Sequence, residues 1–379
     1  MNWQTAYDAY PANERFIWMN NAGTTPPGRH VIERMAKHFA RIGTHGPEHM
    51  EPSLPLVSRR IKSNLASLLH ARPEDIALVH NTAEGMTMLS LGLALVPGDE
   101  ILLLENEYPS NVYPWEYWQA RGVTLTFVPQ SRTPEEFLKH FRERLTPRTR
   151  AVALSMVHWC SGMPLPVEAV AELCHERGIF FALDGSQGIG QIPLDFGKCA
   201  PMALCFSAWK WLLGPLGLGV LVADPTTVAR LSSPFKGTDS VKNPASYLPY
   251  QTELKDTADR YTYSTANTND WVYFDESLRF LSELGFDAIY RRIRALAARL
   301  WQPLRSAGFT SGYDHGDEPL SGILCVNKPG VDLEKLTNTL IENGVVARLR
   351  LGRIRLAPHV YLREEQMDLV SRLLIEHAK

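Results

Sequence analysis

No apolar run in this chain approaches the roughly 18 to 20 residues that a bilayer-spanning helix needs, so no membrane span is expected. Cysteine is scarce: Cys160, Cys174, Cys199, Cys205 and Cys325 form an odd set without a C-x-x-C pair. That pattern fits buried thiols in a reducing compartment better than a disulfide framework. Charge of either sign is not in excess, since 39 basic face 41 acidic side chains for a net of about −2. A nucleic-acid or membrane partner is therefore not expected. The opening Met1-Asn-Trp-Gln-Thr-Ala-Tyr lacks the basic and apolar regions of a secretory signal, which predicts a cytoplasmic protein. His45-Gly-Pro-Glu-His49 has two histidines at helical spacing, but its glycine and proline break the helix that would align them, so no metal is expected. Internal repeats and low-complexity tracts are missing as well.

What is present is the make-up of a globular enzyme. With 379 residues, 45% apolar and 21% charged, the chain is long enough for a large core and a second, smaller unit. Short β-rich runs alternate with helical patterns from about residue 75 to 225: Ile76 to Val79, Glu100 to Leu104, Val123 to Val128, Ala151 to Val157, Phe180 to Leu183, Ala203 to Phe206 and Gly219 to Val222. Helices are expected from Ala83 to Leu95 and from Pro166 to Arg177. The alternation predicts an α/β fold, a mostly parallel central sheet with helices on both faces. Ligands of such sheets bind beyond the carboxyl ends of the strands. Residues 232 to 270 lack periodicity and read as a long functional loop region. Two long helices and a compact α+β tail follow. The expected division is a large domain over 15–270 and a small C-terminal domain over 271–379, with 1–14 packing near the latter.

The chemistry concentrates in Cys205-Phe-Ser-Ala-Trp-Lys-Trp-Leu-Leu-Gly214. A solvated lysine has no use for two flanking tryptophans, whereas apolar surroundings disfavour the ammonium and lower the pKa of a lysine that must attack a carbonyl. Asp184 ends the run Phe-Phe-Ala-Leu-Asp, one strand before Lys210. Read alone, it is an N-cap for Gly185 and Ser186; read with Lys210, it can meet the other end of one bound ligand. His80-Asn-Thr-Ala-Glu-Gly85 lies where a strand hands over to a helix, so free amides and the hydroxyl at Thr82 and Ala83 can serve a dianionic phosphate. Lysine, acid and phosphate cradle are what a pyridoxal phosphate site requires.

These segments resemble the class V branch of fold-type I pyridoxal phosphate enzymes, which includes cysteine desulfurases, selenocysteine lyases, kynureninase, isopenicillin N epimerase-like proteins and several aminotransferases. Phe16-Ile-Trp-Met-Asn-Asn-Ala-Gly-Thr-Thr-Pro26 is similar to "YLDNAATTP", His80 to Gly85 stands at "GATE", and Glu107-Tyr-Pro-Ser-Asn-Val-Tyr-Pro-Trp115 resembles "EHHANIVPW". Ala182 to Gly188 resembles "VDGAQ" and Phe206 to Lys210 resembles "FSGHK". The likeness runs from about residue 15 to the last helix, with the motifs in one order. It implies that Lys210 carries the cofactor as an imine, Asp184 pairs with the pyridine nitrogen, Gln187 donates to the phenolic oxygen and Ser207 adds a phosphate contact. Tyr108 stands where relatives stack a histidine on the ring, and Trp209 replaces a histidine before the lysine. Trp159 takes the place of an asparagine, with His158 as a substitute contact. Asn21 and Gly23 fall in a segment near the substrate. Tyr263-Ser-Thr-Ala-Asn267 resembles "GTPN", which implies a homodimer whose Thr265 reaches the partner's phosphate.

Arg353-Ile-Arg-Leu-Ala-Pro-His-Val-Tyr361 resembles "R-x-S", whose arginine grips the substrate α-carboxylate. Arg355 is assigned that role because a guanidinium matches a carboxylate bidentately. Strand alternation puts 353 and 355 on one face, so register alone does not separate them. Desulfurases of the family carry a cysteine on a loop before this arginine. Here that interval, Gly344 to Arg355, is short and has none. The expectation is an aminotransferase-like enzyme acting on an amino acid or amine. The alternatives are a lyase by β-elimination, including C–S cleavage, or an epimerase, and more distantly a non-catalytic binding protein of the same fold.

Overall fold

Strands form where the chain is apolar toward both sides of the backbone, and seven such segments make one sheet. They are β1 (Ile76–Val79), β2 (Glu100–Leu104), β3 (Thr124–Val128), β4 (Thr149–Ser155), β5 (Phe180–Asp184), β6 (Ala203–Ser207) and β7 (Gly219–Ala223). The computed structural model describes residues 2–47, 53–199 and 202–378, so Glu48 and His49 lie outside the described residues. The sheet order is β1-β7-β6-β5-β4-β2-β3. Neighbours from β6 to β3 run parallel, whereas β7 runs antiparallel to both β6 and β1. Every residue of β1, β2, β5, β6 and β7 is buried, and only the edge strand β3 shows largely open positions. Alternation sends Leu102, Leu104, Val152 and Leu154 into one core and Ile101, Leu103, Ala151 and Ala153 into the core on the other face.

The parallel run fixes where chemistry can occur. Ser155, Asp184 and Ser207 close β4, β5 and β6 at the same rim, with Ser155 opposite Asp184 and Asp184 opposite Cys205. The helix Thr82–Gly92 begins at this rim. It lies close to the sheet because residue 85 is glycine: a Cβ there would stand 2.7 Å from the Cys205 sulfur. The expected helix from Ala83 to Leu95 is thus slightly shorter than read. From 230 to 267 the one helical piece is the short 3-10 turn Ala258–Tyr261, in keeping with the expected loop region.

A second, antiparallel sheet has the order Arg348–Arg350, Arg353–Leu356, Leu324–Asn327, Thr310–Ser311. Its first two strands join through Leu351 and Gly352, both at positive φ (45° and 69°), a tight turn that only such backbone allows. The helices Thr268–Leu284 and Phe286–Ser306 meet at Gly285 (φ 82°). Among the described residues no helix is long and apolar enough to cross a membrane, and no cluster of histidine, cysteine and carboxylate side chains could hold a metal ion.

The amino-terminal segment is sewn into the carboxyl-terminal part. Ile17–Trp18 pairs in parallel with Val345–Val346, and Asn20 bridges to Ala357. Asn21, fully buried, donates to the carbonyls of Trp18 (3.0 Å) and Ala357 (2.7 Å) and accepts from the Tyr361 hydroxyl. Replacing it leaves three buried partners unsatisfied, at about 1–3 kcal/mol for each group left without a bond. We therefore expect Asn21→Leu to lower the urea midpoint by an amount equivalent to at least about 2 kcal/mol; a change within experimental error removes the clasp from the fold's account.

Candidate active site

The rim carries a cleft of about 320 Å³, within the range of small-molecule sites. Of the residues singled out from sequence, Gly23, Thr82, Ala83 and Tyr108 line it, as do Asp184, Gln187, Lys210 and Arg355. Thus β5, β6, the start of the helix Thr82–Gly92 and the second sheet each supply a wall.

Lys210 is 9% exposed, and burial pulls its pKa down to about 8, against the pull of the Asp184 carboxylate and with help from Arg355. Its Nζ lies 5.5 Å from the Tyr108 ring centre. The two flanking tryptophans divide the work. Trp209 lines the cleft, while Trp211 is core, stacked on His359 and donating to Gln187 Oε1 at 3.1 Å. Asp184 is buried too, which raises its pKa, and Lys210 and the Ser186 amide (2.8 Å) oppose the rise. It accepts from the Ser186 amide, although turns and not a helix follow it, and its charge lies close enough to Lys210 for the two to act on each other.

The helix start answers as its residue types imply. Asn81 caps the Glu84 amide at 2.9 Å, leaving the first-turn amides of Thr82 and Ala83 without intrahelical acceptors. The Thr82 hydroxyl meets Ser186 Oγ at 3.0 Å. Ser207 is set just behind the wall; its amide donates to Ser186 Oγ, and its own hydroxyl is buried without a protein partner. Gln187 spends one amide hydrogen on the Ala22 carbonyl (2.8 Å), so a second remains for a ligand.

Two expected contacts lie elsewhere. Asn21 belongs to the clasp and does not reach the cleft. His158 is walled in: Nε2–H donates to the Asn106 carbonyl at 3.1 Å, which makes Nδ1 the acceptor for Ser161 Oγ at 2.9 Å. Burial drops its pKa to about 4, so it stays a neutral structural ring. Thr265 lines a separate cavity with Lys62 and Asp259.

Sequence reading assigned no role to Ser186, Asn20, Glu107 or Arg350. Glu107 is buried, held by the amides of Ser155 (2.9 Å) and Tyr108 (2.7 Å) and by the Ser155 hydroxyl. Burial, with Asp184 nearby, raises its pKa to about 7. It anchors Tyr108 at the cleft edge. Arg355, 4% exposed, donates to the Trp159 carbonyl (3.2 Å) and Asn20 Oδ1 (3.4 Å), and its Nε has no partner. Among the described residues no carboxylate pairs with it. Arg350 lines the cleft and Arg353 does not, although the ladder places both on one face.

Residues 17–369 match the family described as Aminotransferase class-V. A probable cysteine desulfurase of Pyrococcus abyssi is 23% identical over 97% of this chain and 96% of its own. The isopenicillin N epimerase of Streptomyces clavuligerus is 26% identical over 98% of each. In fold, a cystine C–S lyase solved with cysteine persulfide superposes at a TM-score of 0.90 with 20% identity, covering 98% of this chain and 100% of that one. The chain belongs to the class V aminotransferase family, pyridoxal phosphate enzymes of transferase or lyase type with the fold-type I architecture expected from the sequence. The cleft fits that cofactor: a desolvated amine, a buried carboxylate, free helix amides and the orphaned Ser207 hydroxyl are the donors and acceptors it needs.

In protein stripped of cofactor, acylation of Lys210 by acetic anhydride should rise with pH about a midpoint near 8, because the ammonium dominates below it. Asp184→Asn, by removing the charge that favours the ammonium, should move the midpoint lower. A midpoint at the ordinary lysine value of about 10.4 contradicts the desolvated site.

Proposed function

We propose that this enzyme withdraws the α-proton of an amino acid with Lys210 and completes the transfer of its amino group, an aminotransferase-type reaction. One observation carries the reading: the cleft holds a single lysine, buried and with a pKa near 8, across from an arginine that has no carboxylate partner among the described residues. Bound pyridoxal phosphate supplies a carbonyl carbon for the amino group and a conjugated ring that spreads negative charge from the α-carbon.

In this reading the amides of Thr82 and Ala83 and the Ser207 hydroxyl bind the phosphate, and Asp184 keeps the ring nitrogen protonated. Gln187 gives its remaining amide hydrogen to the phenolic oxygen, and Tyr108 covers one ring face. Arg355 fixes the α-carboxylate, with Gly23 leaving room beside it. Lys210, about half neutral at a pH near its own pKa, would accept the proton at Nζ and hold it for return. Persulfide chemistry has no support from the thiols. None of the five cysteines lines the cleft, and burial pushes Cys160 and Cys325 up to about 11 and about 12. The second reading is α,β-elimination, including C–S cleavage. It uses the same proton removal, and the likeness in fold to a cystine C–S lyase keeps it in view.

Borohydride reduction of the holoenzyme should fix the cofactor on Lys210, and Lys210→Ala should lower turnover by about 10²–10⁴-fold. A single turnover without keto acid separates the two readings. Transfer converts the cofactor stoichiometrically to pyridoxamine phosphate, while elimination regenerates the yellow form and releases keto acid and ammonia. Sustained turnover without an acceptor overturns the first reading.

The same reading extends to a cytoplasmic homodimer. Thr265, exposed and remote from its own chain's Lys210 cleft, then serves the partner's phosphate. Sedimentation should show a dimer, with Thr265→Ala weakening cofactor retention; an active monomer at micromolar concentration excludes the shared site.

A further inference from the structure

Four arginines share one face of the hairpin that closes the cleft. In the ladder Arg348 stands directly opposite Arg355, and Arg350 directly opposite Arg353. Directly opposed residues of antiparallel strands project to the same side, as do residues two apart on one strand. Like charges placed opposite each other destabilise a sheet, and here no acid relieves them. Arg348 and Arg350 donate to the carbonyls of Ala347 and Leu349, and the Nε atoms of Arg353 and Arg355 are buried without partners. Among the described residues none of the four forms a salt bridge. On that face the neighbouring strand adds Cys325, opposite Arg355 and fully buried, and the uncharged Asn327.

Two of these guanidiniums, Arg350 and Arg355, line the cleft, and they are close enough for the charge of Arg350 to weaken the hold of Arg355 on its proton. An α-carboxylate occupies one of them. The phosphate has its own cradle at Thr82 and Ala83, so the second guanidinium faces the substrate unclaimed. Arg350 is the exposed member, at the turn Leu351–Gly352, which suits the far end of a substrate rather than its reacting end.

We propose that Arg350 binds a second anionic group, so that the substrate of this site is an amino acid with a carboxylate on its side chain. The proposal rests on the assignment of Arg355 to the α-carboxylate. A guanidinium fork suits a planar carboxylate, and a cleft of about 320 Å³ has room for a short chain between two such groups.

Calorimetry on the holoenzyme tests it with unreactive probes, succinate and glutarate against propionate and butyrate. A dicarboxylate should bind at least about tenfold more tightly than its monocarboxylate match. Arg350→Ala should abolish that preference while leaving propionate and butyrate affinities unchanged, and Arg350→Lys should restore part of it. As Arg350 is exposed, the variant should keep the fold, which the cofactor's visible absorbance checks. Initial rates should rank glutamate or aspartate above glutamine or asparagine in the native enzyme and lose that order in Arg350→Ala. Equal binding of mono- and dicarboxylates, or a preference that survives Arg350→Ala, overturns the proposal. If Arg355→Ala leaves propionate binding intact, the α-carboxylate assignment is what fails, and the proposal falls with it.

Discussion

Burying an amine at the end of a parallel sheet is the constraint on which the rest of this structure depends. A lysine that is 9% exposed loses the hydration that holds its proton, and only the neighbouring Asp184 returns part of that stabilisation. The pairing is possible because β5 and β6 are adjacent and parallel, so consecutive strand ends arrive at one rim. Everything around it serves that placement. Gly85 lets the helix Thr82–Gly92 approach, Trp211 fills the core beneath, and Glu107 holds the Tyr108 backbone at the edge.

The charges along the cleft then sort by position. Asp184 and the raised carboxyl of Glu107 lie at the sheet rim with Lys210, the start of the helix Thr82–Gly92 supplies free amides, and guanidiniums occupy the wall from the second sheet. A substrate with a carboxylate beside its amine has one orientation in such a field. Arg355 cannot drift, since it is buried and held by the Trp159 carbonyl and Asn20.

How much of this was legible in the sequence follows from which interactions are local. All the strands but the edge strand β3 read directly, because strands buried on both faces are continuous apolar runs, and Lys210 and Asp184 read as a pair because one closes such a run and the other follows the next. Thr82 and Ala83 read from the strand-to-helix handover. Asn21 and His158 misled for a common reason: both are polar residues in segments that approach the cleft, and both are consumed by long-range bonds, to Ala357 and Tyr361 in one case and to Asn106 in the other. No periodicity announces such partners. Asn106 itself adopts φ 56°, and its carbonyl receives both His158 and Trp159. The arginines could not be ranked because alternation reports only a face of a strand, and all four share one face.

Those same long-range bonds connect the two anchors a substrate would meet. One is the sheet rim, which holds Lys210, and the other is the second sheet, which holds Arg355. The amino-terminal segment runs between them: Asn20 accepts from Arg355, Asn21 binds Ala357 just past Arg355, and Ala22 receives the amide of Gln187 at the rim. Three consecutive residues therefore set the spacing between the walls that carry Lys210 and Arg355. Which bond of a substrate lies across the ring, and so which reaction follows, depends on that spacing to a fraction of an ångström. Asn21 does not line the cleft, yet its bonds hold the segment whose neighbours on either side, Asn20 and Ala22, contact Arg355 and Gln187.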